Sequence, residues 1–254
     1  MVRKVGYLTI DDSPTDDFLR KVDYLVSKNI PAIFFCRGDY LENRKDDAIT
    51  AIKKGFVIGN HSYDHPHFSE IPLKESFQQI RQTDEIINDI YKEANVSRPA
   101  KIFRFPYGDK GSNLDAEQGW PDNKDKKLFM RGIQNYLKKL GYSQPIFENI
   151  SYKWYKDAGL HLDLDVYWTY YTFDCEVATY KATGKEEPNG YHSLWAIKKR
   201  MDEDVPDGMR GLNYRGSNDI ILMHDYPSIE DIFHLLIEAL LEKGLYFKLP
   251  LFSF

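Results

Sequence analysis

Short, almost wholly apolar runs alternate with segments of helical period along this chain, and that alternation admits few folds. The runs are KVGYLTI (4–10), PAIFFC (31–36), FVIGN (56–60), KIFRF (101–105), VYWTYYTF (166–173) and DIILM (219–223), with a strand-like LYFKLPLF at 245–252. Runs this short and this apolar read as buried strands. Between them, residues 16–28 place Phe18, Leu19, Val22, Leu25 and Val26 at helical spacing. Residues 44–54 also read as a helix, stopped by Gly55. So do 73–91, 128–140 (ended by Gly141), 191–201 and 228–242. Strands that alternate with helices imply βαβ units and a parallel sheet. The expected fold is an irregular (β/α) barrel of about seven parallel strands, a single domain over residues 1–254. The polar, irregular stretch that opens at Gly111 marks an insertion, 111–165, on the barrel rim.

The chain's 254 residues suit one such domain, and 42% hydrophobic with 29% charged residues is an ordinary globular balance. A net charge of -5 without a long basic run argues against nucleic acid as a partner. No apolar run is long enough to span a membrane. The first strand begins almost at Met1, leaving no room for a signal peptide. The chain therefore reads as cytoplasmic as it stands, or as secreted or cell-envelope if a leader was trimmed. Cys36 and Cys175 fit no metal-ligand spacing and read as separate buried thiols. Eighteen Tyr and four Trp exceed what a core needs. Flat aromatic faces suit sugar rings, although core packing is the commoner use of such residues.

Polar residues stand just after the strand runs: Asp11 and Asp12, His61, Arg104, Asp174 and His224. The C-terminal ends of barrel strands are where active sites form. Two imidazoles four residues apart, His61 and His65, with one carboxylate can hold a divalent metal and leave positions open for water and substrate. The second carboxylate is then free to act as a base, which points to metal-assisted hydrolysis. His67 falls outside that spacing and reads as a rim residue. Asp11-Asp12-Ser13-Pro14 also fits a helix N-cap, which accounts for Ser13 and Pro14 but not for two adjacent carboxylates. Arg104 is best read as the partner of a buried aspartate.

These motifs together resemble those of the polysaccharide deacetylases, carbohydrate esterase family 4, which share the nodulation-deacetylase homology domain. The family's TFDDG stands here as Thr9-Ile10-Asp11-Asp12-Ser13, and its H-S/T-x-x-H as His61-Ser62-Tyr63-Asp64-His65. Its R-x-P-Y is Arg104-Phe105-Pro106-Tyr107, and its L-x-H is Leu222-Met223-His224. The resemblance is close over 3–108 and looser over 167–241. It implies Asp11 as general base, with Asp12, His61 and His65 as ligands of a divalent metal, Zn foremost and Co or Ni as alternatives. Ser62 would brace the histidine loop and Arg104 would hold Asp11. The Tyr107 backbone N–H would stabilise the oxyanion, and His224 would protonate the leaving amine.

One motif departs from the family. The register for DxxDW gives Tyr171-Thr172-Phe173-Asp174-Cys175, so the first aspartate is Tyr171 and the tryptophan is Cys175. Asp174 remains as the expected partner of His224, with Glu176 as the fallback. Trp120, Trp154 and Tyr155 of the insertion are expected at the cleft rim, where they could replace the lost wall; anchoring the insertion is the competing use for Trp154 and Tyr155. The implied activity is removal of acetyl groups from an acetylated glycan, N-deacetylation of N-acetylhexosamine units foremost. O-deacetylation, a non-sugar C–N amidohydrolase and a catalytically silent glycan-binding barrel are the alternatives. Oligomeric state is open.

Overall fold

A computed structural model describes residues 3–203, 211–227 and 229–252. The strands are β1 (Val5–Ser13), β2 (Ala32–Cys36), β3 (Val57–Asn60), β4 (Tyr170–Tyr171), β5 (Asp219–His224) and β6 (Tyr246–Phe247). The helices are α1 (Phe18–Ser27), α2 (Gly38–Asn43), α3 (Lys45–Lys53), α4 (Leu73–Ala94), α5 (Lys124–Lys139), α6 (Lys153–Asp157), α7 (Asp174–Thr183), α8 (Leu194–Asp202) and α9 (Glu230–Glu242). Ser228, read from sequence as the start of the last helix, lies outside the described residues. No helix among the described residues is long and apolar enough to cross a membrane.

All the strand pairings are parallel, in the order β3-β2-β1-β5-β4, with β6 beside the start of β1. β2 and β5 are buried along their whole length, which explains their unbroken apolar character. Side chains alternate between two layers. Leu8, Ile10, Phe34, Ile58, Ile221 and Met223 face outward and pack with helix residues such as Phe18, Ile52, Ile87 and Leu236. Tyr7, Ile33, Phe35, Val57 and Ile220 face inward into a separate core. The inward parity also carries Thr9 and Asp11 on β1, and Leu222 and His224 on β5. The chain thus sends its catalytic-type side chains to the same side as the inner core.

The structure is an irregular α/β barrel, with fewer regular strands among the described residues than the seven expected. KIFRF joins β3 through a single bridge, Asn60 to Phe103, with Asn60 N donating to Ile102 O and Arg104 N to Asn60 O. It bridges onward from Phe103 to Asp165. The run VYWTYYTF contributes only β4, because Phe173 adopts a left-handed conformation and α7 starts at Asp174. High β-propensity is a statement about packing surfaces, and here Tyr167 and Trp168 stack on one another instead of extending a ladder. The aspartates are inside β1, which runs on to Ser13. Helix α1 begins only at Phe18, so Ser13-Pro14 is not its cap.

The insertion divides between the two ends of the barrel. Tyr152, Tyr155 and Leu160 pack with Tyr7, Ile33 and Ile220 in the inner core, and Trp154 packs against them. The Tyr152 hydroxyl donates to Asp219 Oδ1 (2.7 Å), and Asp219 also pairs with Lys4 (2.6 Å), at the strand starts. Of the two uses expected for Trp154 and Tyr155, anchoring the insertion is the one found, and the rim placement is corrected: both pack into the inner core with Tyr152. The 109–116 stretch lies at the other end, beside Tyr107 and Trp168. Buried Lys110 bonds Asp163 (2.7 Å) and Asp165 (3.0 Å), tying the two ends of the insertion together.

Candidate active site

Two adjacent strand residues ordinarily point to opposite faces, yet Asp11 and Asp12 line one pocket of about 300 Å3. A break in register between Asp11 and Ser13 resolves this. Asp12 is the extra residue of a β-bulge and takes a left-handed φ of 60°, which re-aims its side chain. Ser62 (φ 65°), His65 (φ 65°), Tyr107 (φ 57°) and Phe173 (φ 59°) share that uncommon conformation. Five non-glycine residues held this way around one pocket mark strain concentrated at a site.

Asp12, His61 and His65 offer ligand atoms that all lie within 4.8 Å of one another. His65 Nε2 is 3.3 Å and His61 Nε2 3.9 Å from Asp12 Oδ1. That oxygen is buried and accepts no hydrogen bond from any described residue. A buried carboxylate oxygen without a donor is costly unless something else satisfies it. His61 Nδ1 lies 2.9 Å from the Arg104 carbonyl, which requires the proton on Nδ1 and leaves the Nε2 lone pair facing the two aspartates. Burial lowers the pKa of both imidazoles to about 4, against the pull of Asp11, so they are neutral donors at neutral pH. These residues fit a divalent cation. The histidine loop is braced as expected: the His65 N–H donates to Ser62 Oγ (3.2 Å), and the Ser62 N–H to Asn60 Oδ1 (2.9 Å). His67 lies at the rim, stacked on Tyr107.

Asp11 lies beside this set but has a cation of its own. Its Oδ1 accepts from Arg104 Nη1 (2.8 Å), while Oδ2 is 3.6 Å from His61 Nε2. Arg104 is fully buried. It also donates to Thr9 Oγ1 (2.8 Å) and the Val166 carbonyl (3.0 Å), with its guanidinium over the Phe35 ring. Opposite, in direct register with Asp11, is His224. Asp174 grips it twice: Oδ1 lies 2.9 Å from the ring Nδ1, and Oδ2 accepts from the backbone N–H at 2.6 Å. Burial disfavours the imidazolium, but the Asp174 carboxylate outweighs it and the pKa is pushed up to about 9. Glu176, the fallback, is occupied elsewhere, accepting from Asn189 Nδ2 and the Tyr191 N–H. Tyr107 lies on the pocket edge, in the 3₁₀ turn Pro106–Gly108.

Sequence reading names Tyr171 and Cys175 only as departures from a motif, and misses Tyr226, Trp168 and Lys21 as participants. Trp168, Tyr171, Cys175 and Tyr226 complete the pocket wall. Tyr226 stacks on His224 (5.1 Å), and the Tyr171 hydroxyl is 2.6 Å from the Cys175 thiol. Both cysteines are free thiols, and Cys175 is only half-buried. Lys21, entirely buried, bonds Asp17 (2.8 Å), Asp225 (2.5 Å) and the Tyr226 carbonyl (2.8 Å). Asp225 in turn accepts from the Thr15 N–H (2.9 Å), and its own N–H donates to the Asp11 carbonyl (2.9 Å). This network ties the loop after β1 to the loop after β5. Its one sequence signal is a lysine on the apolar face of α1, between Phe18 and Leu25.

Residues 1–119 match the family model described as polysaccharide deacetylase. The four motifs that carry the resemblance to that family gather at one pocket. It is 36% identical over 103 residues to the peptidoglycan-N-acetylglucosamine deacetylase of Bacillus cereus, covering 40% of this chain and 36% of that one. It is 29% identical over 146 residues to the peptidoglycan-N-acetylmuramic acid deacetylase PdaC of Bacillus subtilis, covering 52% of this chain and 30% of that one. The chain thus spans about a third of the length of these curated relatives. A family 4 carbohydrate esterase from Streptomyces lividans, solved in complex with acetate, shares the fold. Its TM-score is 0.59 at 19% identity, over 97% of this chain and 92% of that one.

Proposed function

We propose that this protein is a metal-dependent hydrolase that removes acetyl groups from an acetylated carbohydrate, acting most directly on the N-acetyl group of hexosamine units. The observation that carries the reading is the division of labour in one pocket. One buried carboxylate oxygen of Asp12, Oδ1, has no donor and faces two neutral imidazoles. A separate carboxylate, Asp11, is held by Arg104, and a cationic histidine, His224, is held by Asp174. The named activities of the similar proteins from Bacillus point the same way.

A divalent cation, Zn, Co or Ni, held by Asp12, His61 and His65 would supply Lewis acidity to the acetyl carbonyl and to the attacking water. Asp11 accepts the proton of that water as it attacks. Arg104 anchors one Asp11 oxygen and leaves the other facing the pocket. The Tyr107 backbone N–H donates to the acetyl oxygen as negative charge develops there. An amine leaves only when protonated. His224, kept as imidazolium by Asp174 with its Nε2 turned away from that carboxylate, delivers the proton. Trp168, Tyr171, Leu222 and Tyr226 form the apolar wall and limit water in the pocket. Retention of both Asp11 and His224 favours turnover over simple glycan binding, since binding needs neither group.

Acetate release from a panel of acetylated glycans, with and without chelator, tests the reading. The expected result is release that chelator abolishes and added metal restores. Full activity after exhaustive chelation, or no release from any N-acetylated glycan, would overturn it.

A further inference from the structure

A second hollow, of about 490 Å3, shares the Tyr107–Trp168 wall with the candidate active-site pocket. Its size is that of a small-ligand site. Two stacked aromatic pairs border it: His67 on Tyr107 (3.8 Å, 8° between planes) and Tyr167 on Trp168 (4.1 Å, 17°). Stacking fixes the ring planes, and Tyr107 remains 60% exposed. Gly108, at φ +67°, lets the backbone pass beneath the second pair. A Cβ there would lie 2.9 Å from Trp168 and 3.0 Å from Tyr167. Buried Asp109 pins the floor, accepting from the Ser69 N–H (2.9 Å), Ser69 Oγ (2.6 Å) and the Gly111 N–H (2.9 Å).

Fixed aromatic faces continuous with a pocket for one sugar suit the next sugar of the same chain. Charge selects which sugar. Glu70 and Asp115 bring two exposed carboxylates to this hollow, and among its described lining residues there is no lysine or arginine. We infer that this hollow is a subsite for a hexosamine bearing a free ammonium group, so that the preferred substrate is a glycan already partly deacetylated. The same carboxylates disfavour a neighbouring unit that carries a carboxylate. The inference rests on the glycan reading above, but its chemistry is that of binding and not of turnover.

The test uses two oligosaccharides that carry no acetyl group and differ only at C2: a β-linked glucosamine tetramer and the matching glucose tetramer. Calorimetric titration of the intact protein at low ionic strength should give tighter binding of the glucosamine tetramer. About threefold to tenfold is expected from two exposed ion pairs. The preference should shrink with added salt. It should vanish in the Glu70→Gln, Asp115→Asn double variant. Both residues are exposed, and asparagine can still accept the Glu117 N–H that Asp115 Oδ1 accepts, so the variant keeps its fold. Equal affinity for the two tetramers, or a preference that survives in the double variant, overturns the inference. Absence of acetate release with the preference intact would overturn the deacetylase reading and leave this one standing.

Discussion

Asp174 holds His224 at two points, accepting from its backbone N–H at 2.6 Å and meeting its ring Nδ1 at 2.9 Å. Asp174 is the first residue of α7, behind a left-handed Phe173, so a short helix and not a strand delivers the carboxylate. Two contacts fix both the position of the imidazole and its rotation. They leave Nε2 as the one ring nitrogen able to serve a substrate.

The pKa of His224, pushed up to about 9, sets the basic limb of the rate profile near that value. Asp174→Asn removes the largest charge that opposes burial and leaves only the weaker pull of Asp12 and Asp11, so the limb should move down by about one unit or more. The same pair contributes to stability. Because the folded pKa is raised, that contribution is complete below the ordinary histidine value near 6.5 and is lost as pH rises through about 9. Parallel pH–rate and pH–melting curves for the two proteins check both statements. An unmoved limb would remove His224 as the acid.

His61 and His65 shift the other way. Their pKa values are lowered to about 4, while in the unfolded chain they take protons near 6.5. The metal-free protein should therefore lose stability as pH falls from about 6.5 toward about 4. Replacing both with asparagine should flatten that part of the melting-temperature curve. A curve equally steep with and without the two histidines would contradict the lowered values.

Much of this architecture can be read from residues alone, and the exceptions have physical causes. PAIFFC and DIILM are legible because strands buried on both faces need unbroken apolar side chains. The His61–His65 spacing is legible because it belongs to one loop. The bulge at Asp12 is not, since it depends on pairing with β2, and without it alternation would send Asp12 to the helix layer. Residues 101–105 and 166–173 read as full strands, yet they pair mostly through single bridges, because the wall bends where Tyr107 and Phe173 turn left-handed. Residues alone leave rim and anchor open for Trp154 and Tyr155: nothing local says that an aromatic pair packs into the core of a barrel and does not line its mouth.

Arg104→Met should be among the most destabilising single changes. It leaves the buried Asp11 carboxylate without its cation, at a cost of about 3–5 kcal/mol. Lysine cannot reproduce bonds to Asp11, Thr9 and Val166 together, so Arg104→Lys should recover only part. Urea unfolding measures both. A loss below about 1 kcal/mol for the methionine variant would mean that Asp11 finds another partner.

Lys21→Met tests the network behind the pocket. Its ammonium is the buried cation between Asp17 and Asp225, and it caps the Tyr226 carbonyl. The loss should again be about 3–5 kcal/mol. Turnover of the fraction that remains folded should fall more than substrate affinity, because Asp225 joins the Asp11 and His224 strand ends. Wild-type stability in this variant would show that the two carboxylates do not depend on it.

The central claim is that the adjacent aspartates have different tasks: Asp12 binds the metal and Asp11 takes the proton. Calorimetric titration of Zn2+ into the wild type, Asp11→Asn and Asp12→Ala tests it most directly. Asp11→Asn should bind the ion nearly as the wild type does while turnover drops by about a hundred- to ten-thousand-fold. Asp12→Ala should lose the high-affinity site. Loss of metal in Asp11→Asn, or wild-type affinity in Asp12→Ala, would contradict the assignment.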